Sequence, residues 1–283
     1  MKFKKLFQAV ITTSTLFLST YLLIKPIRNS QLFMPSEYQL IKKIVNKLAD
    51  NNDLGQREIG FIISTGRVAS YYAKDVGLCK RDGKESCAYH SYLNPFKKYP
   101  NPKINEIIRL SYLSGSGSAS ASSLGTIAIT HSYFRITEEK ELLMVCTIAH
   151  ELAHILNLDT SNDSLRLNEE ARDFDDKKRE ELSAQISRET ETNADLYAQW
   201  MVLKAGYPTN TCIKKMEHTM QIRYMPKETK LDTHPSIPKR LRALTEELPI
   251  QIKAIVKTNE NEQTNLRWTY DRDLNMLKFI PNK

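Results

Sequence analysis

The sequence predicts an α+β protein, and three observations support that prediction. Long amphipathic segments predict helices at 36–50, 138–157 and 178–204. Shorter apolar segments at 58–64 and 124–130 predict strands. With 283 residues, of which 41% are hydrophobic and 26% charged, the chain can bury a substantial core and does not have the composition of a disordered protein.

The first thirty residues form a leader. It contains five basic residues and no acid, and a mostly apolar stretch runs from Leu6 to Ile24. This stretch has a length between those of a signal-peptide core and a membrane span, and no good cleavage site follows it. Residues 1–30 are therefore expected to be a signal peptide or signal anchor. The rest of the chain would be exported, either periplasmic or anchored facing the extracytoplasmic side, with membrane contact through the N-terminal segment.

Net charge points away from nucleic acid. The leader accounts for five of the eight net positive charges, and no basic helix with interleaved aromatic residues follows it. We therefore expect no nucleic-acid partner.

The four cysteines are compatible with an exported protein. Cys79 and Cys87 flank a polar turn, and their spacing fits a disulfide outside the cytoplasm. A structural metal site formed by this pair with His90 is the weaker alternative because a fourth ligand is missing. Cys146 and Cys212 lie in apolar segments and are expected to be small core residues.

The N-terminal half begins with the helix at 36–50, for which Ser36 is the expected cap. Residues 66–104 are rich in tyrosine and proline and give no clear assignment. The run of small residues at 114–123 is expected to be a flexible loop before the strand at 124–130.

The segment 138–157 predicts the most regular helix. Thr137 can cap it, and Glu138 and Glu139 suit the positive end of the helix dipole. Apolar residues three and four apart predict one continuous buried stripe, formed by Leu142, Val145, Ala149, Leu152 and Leu156.

The C-terminal half contains two further predicted helices. The helix at 178–204 should stop at Gly206, and another should begin near Pro238. After Pro249, three short segments predict strands, so a main domain at 31–248 and a small C-terminal β element at 249–283 are expected. These segments are 250–257, 265–270 and 276–280.

His150-Glu151-Leu152-Ala153-His154 is an H-E-x-x-H motif on the predicted helix at 138–157. Two imidazoles four residues apart lie on the same helical face and can bind one cation. Glu151 borders that face, where it can act as a general base toward water. The alternative is three polar residues on a wet helix face, but the apolar neighbours indicate a core helix.

A catalytic zinc takes three protein ligands and keeps one position open. The third ligand could be a histidine six residues after His154, but that position is Thr160. A glutamate on a following helix is the other possibility, and Glu191 is favoured over Glu189 by its helical face. Small residues share that face three and seven positions later and allow close packing against the first helix: Ala194 and Ala198.

Asp195 lies one helical turn after Glu191. From there its carboxylate can accept the second ring N–H of a zinc-bound histidine and fix the tautomer of that ring. The alternative is an ordinary surface carboxylate.

These residues resemble a known family. H-E-L-A-H followed by Glu191-Thr192-Asn193-Ala194-Asp195 resembles the HtpX-like and CAAX-prenyl-protease-like zinc peptidases. Thr233-His234-Pro235-Ser236 with Arg240 is similar to a further element of that family, and Gly125 to Ile129 is similar to its edge strand. Ser118-Ala119 and Ser132-Tyr133 depart from the residues usual around that strand, which affects the expected shape of the substrate groove.

The resemblance implies a zincin-like metallopeptidase domain at 31–248, with an active-site helix pair and a substrate-binding edge strand. One Zn²⁺ per chain would be held by His150, His154 and Glu191. Glu151 and Asp195 would serve catalysis. His234 would stand on the oxyanion side, and Arg240 would orient its loop or the substrate.

The expected function is therefore a zinc-dependent endopeptidase that cleaves unfolded or flexible protein segments, with a role in envelope protein quality control. Two alternatives remain at this stage. One is a membrane-anchored assembly or chaperone-like factor with a non-catalytic zinc site, although such a site would not require Glu151. The other is a secreted protease effector. The sequence does not indicate the natural substrate or the oligomeric state.

Overall fold

The computed structural model describes residues 34–79, 86–222, 228–257 and 264–282. The leader at 1–30 lies outside the described residues. The helices are α1 (Ser36–Ala49), α2 (Arg67–Asp75), α3 (Pro102–Ser114), α4 (His131–Ile136), α5 (Glu141–Leu156), α6 (Asp159–Glu170), α7 (Asp176–Lys204), α8 (Thr211–Ile222) and α9 (Ile237–Lys257). The strands are β1 (Ile59–Ser64), β2 (Ala119–Ala121), β3 (Thr126–Thr130), β4 (Asn265–Asp271) and β5 (Met276–Asn282), and Cys87–Tyr92 forms a 3-10 helix.

The strands form one sheet in the order β2-β3-β1-β5-β4. β1 pairs parallel with β3 and antiparallel with β5, so that Phe61 lies between Ile127 and Leu277. These three residues are buried, as expected for a central strand that is apolar along most of its length. The predicted α+β class is correct.

The sheet edge differs from the prediction. The strand expected at 124–130 is present as β3, but it is not the edge, because β2 pairs antiparallel with it. The flexible loop predicted at 114–123 is therefore wrong for residues 119–121. A tight turn through Gly125, whose φ is +83°, returns the chain onto β3, and small side chains do not prevent the backbone from pairing.

The helix expected at 36–50 is confirmed as α1, but its predicted cap is wrong. Ser36 is the first helical residue, and its hydroxyl donates to Glu37. The unassigned region 66–104 contains α2 and the 3-10 helix. The buried face of α1 contributes much of the main core: Tyr38, Ile41, Ile44, Val45 and Leu48.

The helix expected at 138–157 begins later than predicted. Glu138 and Glu139 have positive φ and form a turn between α4 and α5. Thr137 does not cap α5, because its hydroxyl donates to Tyr133 O at the end of α4. Leu142 is 48% exposed, so the buried stripe starts one turn further on, while the rest of that stripe packs in the core.

The C-terminal region corrects one predicted strand. α9 continues through Pro249 to Lys257, so the strand expected at 250–257 is wrong. Tertiary packing extends the helix past the proline: the Gln251 side chain is buried and donates to Leu196 O on α7. The other two predicted strands are confirmed as β4 and β5, and they join the main sheet through β1.

Both cysteine pairs are oxidised in the structure. The disulfide predicted between Cys79 and Cys87 is confirmed. Cys146 and Cys212 lie in the core as expected, and they also form a second disulfide, which the sequence analysis did not predict and which joins α5 to α8. Both residues are buried, and an apolar sequence pattern does not distinguish a buried thiol from a buried disulfide.

Across the described part of the chain, no individual helix combines the length and apolar character needed to cross a membrane. α5 and α6 meet that criterion only as a pair bent by 53°.

Candidate metal centre and catalytic cleft

The candidate metal centre lies between α5 and α7. α5 carries His150 and His154, and α7 carries Glu191. Ala194 and Ala198 on α7 are fully or almost fully buried, as expected where small residues allow two helices to approach closely. The structure thus brings together the three residues that the sequence analysis proposed as ligands.

The three side chains converge on one point. His150 Nε2 lies 3.1 Å from His154 Nε2 and 3.2 Å from Glu191 Oε2. His154 Nε2 lies 3.5 Å from Glu191 Oε1. Among the described residues, these three form a group whose ligand atoms all lie within 4.8 Å of one another.

This donor set fits a zinc ion. Tetrahedral zinc bonds of about 2.0–2.1 Å place neighbouring ligand atoms roughly 3.3–3.4 Å apart, close to the separations observed. Glu191 Oε2 is buried and has no well-aligned donor within the described part of the chain, as expected of an atom that serves a cation.

The charges around the histidines also favour a cation. Burial alone would lower the pKa of His154, but its hydrogen bonds to Asp159 and Glu191 outweigh burial and raise the pKa to about 10. Burial would raise the pKa of Glu191, but its contacts with His150 and His154 hold that pKa well below its usual range. The site therefore keeps a carboxylate charged beside two imidazoles, and a divalent ion can replace the protons that these groups attract.

His150 is held by a buried ion pair. Its Nδ1 lies 3.0 Å from Asp195 Oδ1, although the angle of this contact is poor for a hydrogen bond. Arg240 on α9 donates to both oxygens of Asp195, at 2.5 and 2.6 Å. Burial would raise the pKa of Asp195, but the hydrogen bonds from Arg240 and the nearby ring of His150 keep it well below its usual range.

Asp195 thus lies beside the ring of His150, and its role toward a bound metal stays a prediction. The resemblance predicts that Arg240 orients its loop or the substrate. In the structure its buried guanidinium contacts Asp195 on α7.

His154 has its own carboxylate partner, which the sequence analysis missed. His154 Nδ1 lies 2.7 Å from Asp159 Oδ2 at the start of α6. The available signal was an acid placed five residues after the second histidine of the motif, just beyond the end of the helix.

Glu151 lies beside the ligands on α5 and borders the cleft. It is 6% exposed, and burial raises the pKa of its carboxyl group. A carboxylate with a raised pKa is suited to take up a proton and release it again.

An open cleft of about 460 Å³ runs across the metal centre. The family resemblance predicts the substrate-binding edge strand at Gly125 to Ile129, and the structure corrects this prediction. β2 covers β3, and it is β2 that forms one wall of the cleft through Ala119, Ser120 and Ala121. Much of the remaining wall comes from α6, from α7 and from the segment that contains Thr233 and His234.

His234 lies in this cleft wall. Its side chain is 61% exposed, and its Nε2 is 3.3 Å from Glu191 Oε1. Its Nδ1 lies 3.0 Å from the hydroxyl of Thr233. The structure therefore places His234 beside the candidate metal ligands, with its side chain exposed in the cleft.

Comparison with known proteins gave one family match. Residues 178–248 match the model of peptidase family M48. The matched region includes Glu191, Asp195, His234 and Arg240, whereas the H-E-x-x-H motif precedes it. Neither the curated proteins nor the solved structures contained a match to this chain. The family match supports a relationship to the M48 zinc metallopeptidases.

Proposed function

We propose that the protein is a zinc-dependent endopeptidase. One zinc would be held by His150, His154 and Glu191, and Glu151 would be the general base. The main support is that the H-E-x-x-H helix, which lies outside the family match, meets a glutamate inside that match at ligand distances. Two independent parts of the chain thus contribute to one peptidase site.

The residues around the site would have different roles in peptide hydrolysis. A bound zinc supplies Lewis-acid chemistry, lowering the pKa of a water and polarising a carbonyl. Glu151 takes the proton from the attacking water onto its carboxylate and passes it to the leaving amine. His234 can donate to the oxygen on which negative charge develops, since its ring borders the cleft.

β2 provides a rationale for the substrate class. It is one of the two outer strands of the sheet and lies along the cleft, so the backbone groups on its outer side can pair with an extended peptide. A segment must be unfolded or flexible to adopt that conformation. The preferred substrates would therefore be unfolded or flexible regions of proteins.

We further propose that the enzyme is exported and acts in envelope protein quality control. The basic and apolar leader supports export. The two disulfides support it independently, because such bonds persist in oxidising compartments. The leader would remain a signal anchor or be removed as a signal peptide.

A protease assay with an unfolded protein such as casein tests the proposed activity. Glu151→Gln should keep zinc and fold but lower turnover by roughly 10²–10⁴-fold, because the general base is lost. Glu169→Gln is the matched control, since Glu169 is exposed on α6 and is not among the residues lining the cleft. Cleavage by Glu151→Gln at the wild-type rate would show that the proposed mechanism is wrong.

Export is tested separately, by fractionating cells that express the full-length chain. We expect the protein outside the cytoplasm, with no free thiol at the four cysteine positions. Recovery of the full-length protein from the cytoplasm, with reduced cysteines, would contradict the export proposal.

A further inference from the structure

We infer that Asp159 is a positioning residue that fixes the orientation and tautomer of His154, an inference that rests on the proposed zinc site. Its Oδ2 is 2.7 Å from His154 Nδ1, within strong hydrogen-bond range. The Asp159 side chain is only 16% exposed, so water competes weakly for this contact.

The backbone is shaped to bring Asp159 to this position. α5 ends at Leu156, and Leu158 then adopts a left-handed conformation with φ 56° and ψ 34°. This conformation is unfavourable for a residue with a branched side chain, so the surrounding contacts must hold it. Asn162 Nδ2 donates to Asn157 O at 2.8 Å and closes the junction, so that α6 starts with Asp159 beside the helix that carries His154.

The contact leaves the correct nitrogen free. A neutral imidazole has one N–H, and a carboxylate at Nδ1 keeps the hydrogen there. His154 Nε2 then presents its lone pair to the point where His150 Nε2 and Glu191 Oε1 also converge, 3.1 and 3.5 Å away. Asp159 therefore selects the tautomer in which His154 can bind a metal.

Asp163 is the natural comparison. It lies one turn after Asp159 on α6 and also lines the cleft, but its Oδ1 accepts a hydrogen bond from Thr190 at 2.7 Å. Replacing it with asparagine removes one acidic group from the cleft lining, as replacing Asp159 does, but leaves the contact between Asp159 and His154 in place. Any effect specific to Asp159 is thus one of position.

The test is zinc affinity, measured by competition with a chromogenic chelator on the full chain. Asp159→Ala should weaken zinc binding roughly 10–100-fold, the usual loss when the partner of a ligating histidine is removed. Asp159→Asn keeps an oxygen acceptor and should recover most of that loss. Asp163→Asn should stay within about threefold of wild type.

The absorption spectrum of the cobalt-substituted protein is a second readout. It should change in Asp159→Ala, because His154 is no longer held in one orientation, and should remain close to wild type in Asp159→Asn and Asp163→Asn. Wild-type zinc affinity in Asp159→Ala would overturn the inference. An equal loss of affinity in Asp163→Asn would also overturn it, by showing that charge alone is responsible.

These results remain separable from the proposed activity, because zinc binding is measured without turnover. If the wild-type protein binds zinc and the Asp159 variants behave as expected but no protein is cleaved, the endopeptidase proposal fails and this inference stands. If the wild type cleaves protein and Asp159→Ala binds zinc normally, the inference fails and the endopeptidase proposal stands. Should Asp159→Ala not fold, Asp159→Leu and Asp159→Asn replace it, with loss of affinity again expected only in the apolar variant.

Discussion

His150 and His154 occupy the same face of one helix, one turn apart, yet they are held in different ways. The partner of His150 is Asp195, which is 4% exposed and bound by Arg240 from a third helix. The partner of His154 is Asp159, which is partly exposed and only five residues away in sequence. The position of the His150 ring thus depends on the packing of three helices, whereas the position of the His154 ring depends on a local turn.

This difference predicts that folding stability and zinc binding are coupled more tightly around His150 than around His154. Asp195 and Arg240 are buried charges, so removing either partner leaves the other uncompensated in the core. Asp159 is more exposed than Asp195, at 16% against 4%, so removing its carboxylate leaves less charge buried without a partner. Substitutions of Asp195 or Arg240 should therefore lower both the free energy of unfolding and the zinc affinity. Substitution of Asp159 should lower mainly the zinc affinity.

The largest expected effect is the loss of a ligand on the buried side. His150→Ala should lose zinc and peptidase activity together, each by more than roughly 100-fold, because two remaining ligands hold zinc poorly. Zinc content and casein cleavage on the same preparation measure both quantities. Retention of stoichiometric zinc by this variant would mean that the ion binds elsewhere.

A smaller but distinctive effect is expected from Arg240→Ala. It leaves Asp195 buried without its cation, so the free energy of unfolding should fall by about 3–5 kcal/mol. Urea denaturation of the metal-free protein isolates this loss from zinc binding. A change of less than about 1 kcal/mol would show that the contact between Arg240 and Asp195 contributes little to folding. The contrast between the surroundings of His150 and His154 would then disappear.

The smallest effect on folding is expected from Asp159→Ala. Because the contact is local and partly exposed, the free energy of unfolding of the metal-free protein should change by no more than about 1 kcal/mol. The same urea experiment measures it. A loss as large as that of Arg240→Ala would mean that the two sides are equally integrated into the core.

The sequence predicted the buried contacts of His150 better than the local contact of His154. The spacing of His150 and His154, and the helical face of Glu191, depend on helix periodicity, which the sequence displays directly. Asp195 followed from the same face. Asp159 was missed because it depends on where α5 ends and on a left-handed residue, which periodicity does not reveal.

The remaining errors have a similar origin in tertiary contacts. β2 pairs with β3 despite its small residues, which are typical of loops. α9 continues past Pro249 because the part of the helix after the proline packs on α7. The disulfide between Cys146 and Cys212 joins positions 66 residues apart, which no local pattern relates. Local periodicity thus predicted the helices of the site, while the cleft wall and the cross-links required the folded chain.

The proposed peptidase site requires one zinc held by His150, His154 and Glu191. Elemental analysis of the purified chain measures that zinc, with Glu191→Ala measured beside Glu189→Ala, since Glu189 lies on the same helix and pairs with Arg166 at the surface. We expect about one zinc per chain in the wild type and in Glu189→Ala, and almost none in Glu191→Ala. Full zinc content in Glu191→Ala, or loss of zinc only in Glu189→Ala, would contradict the account.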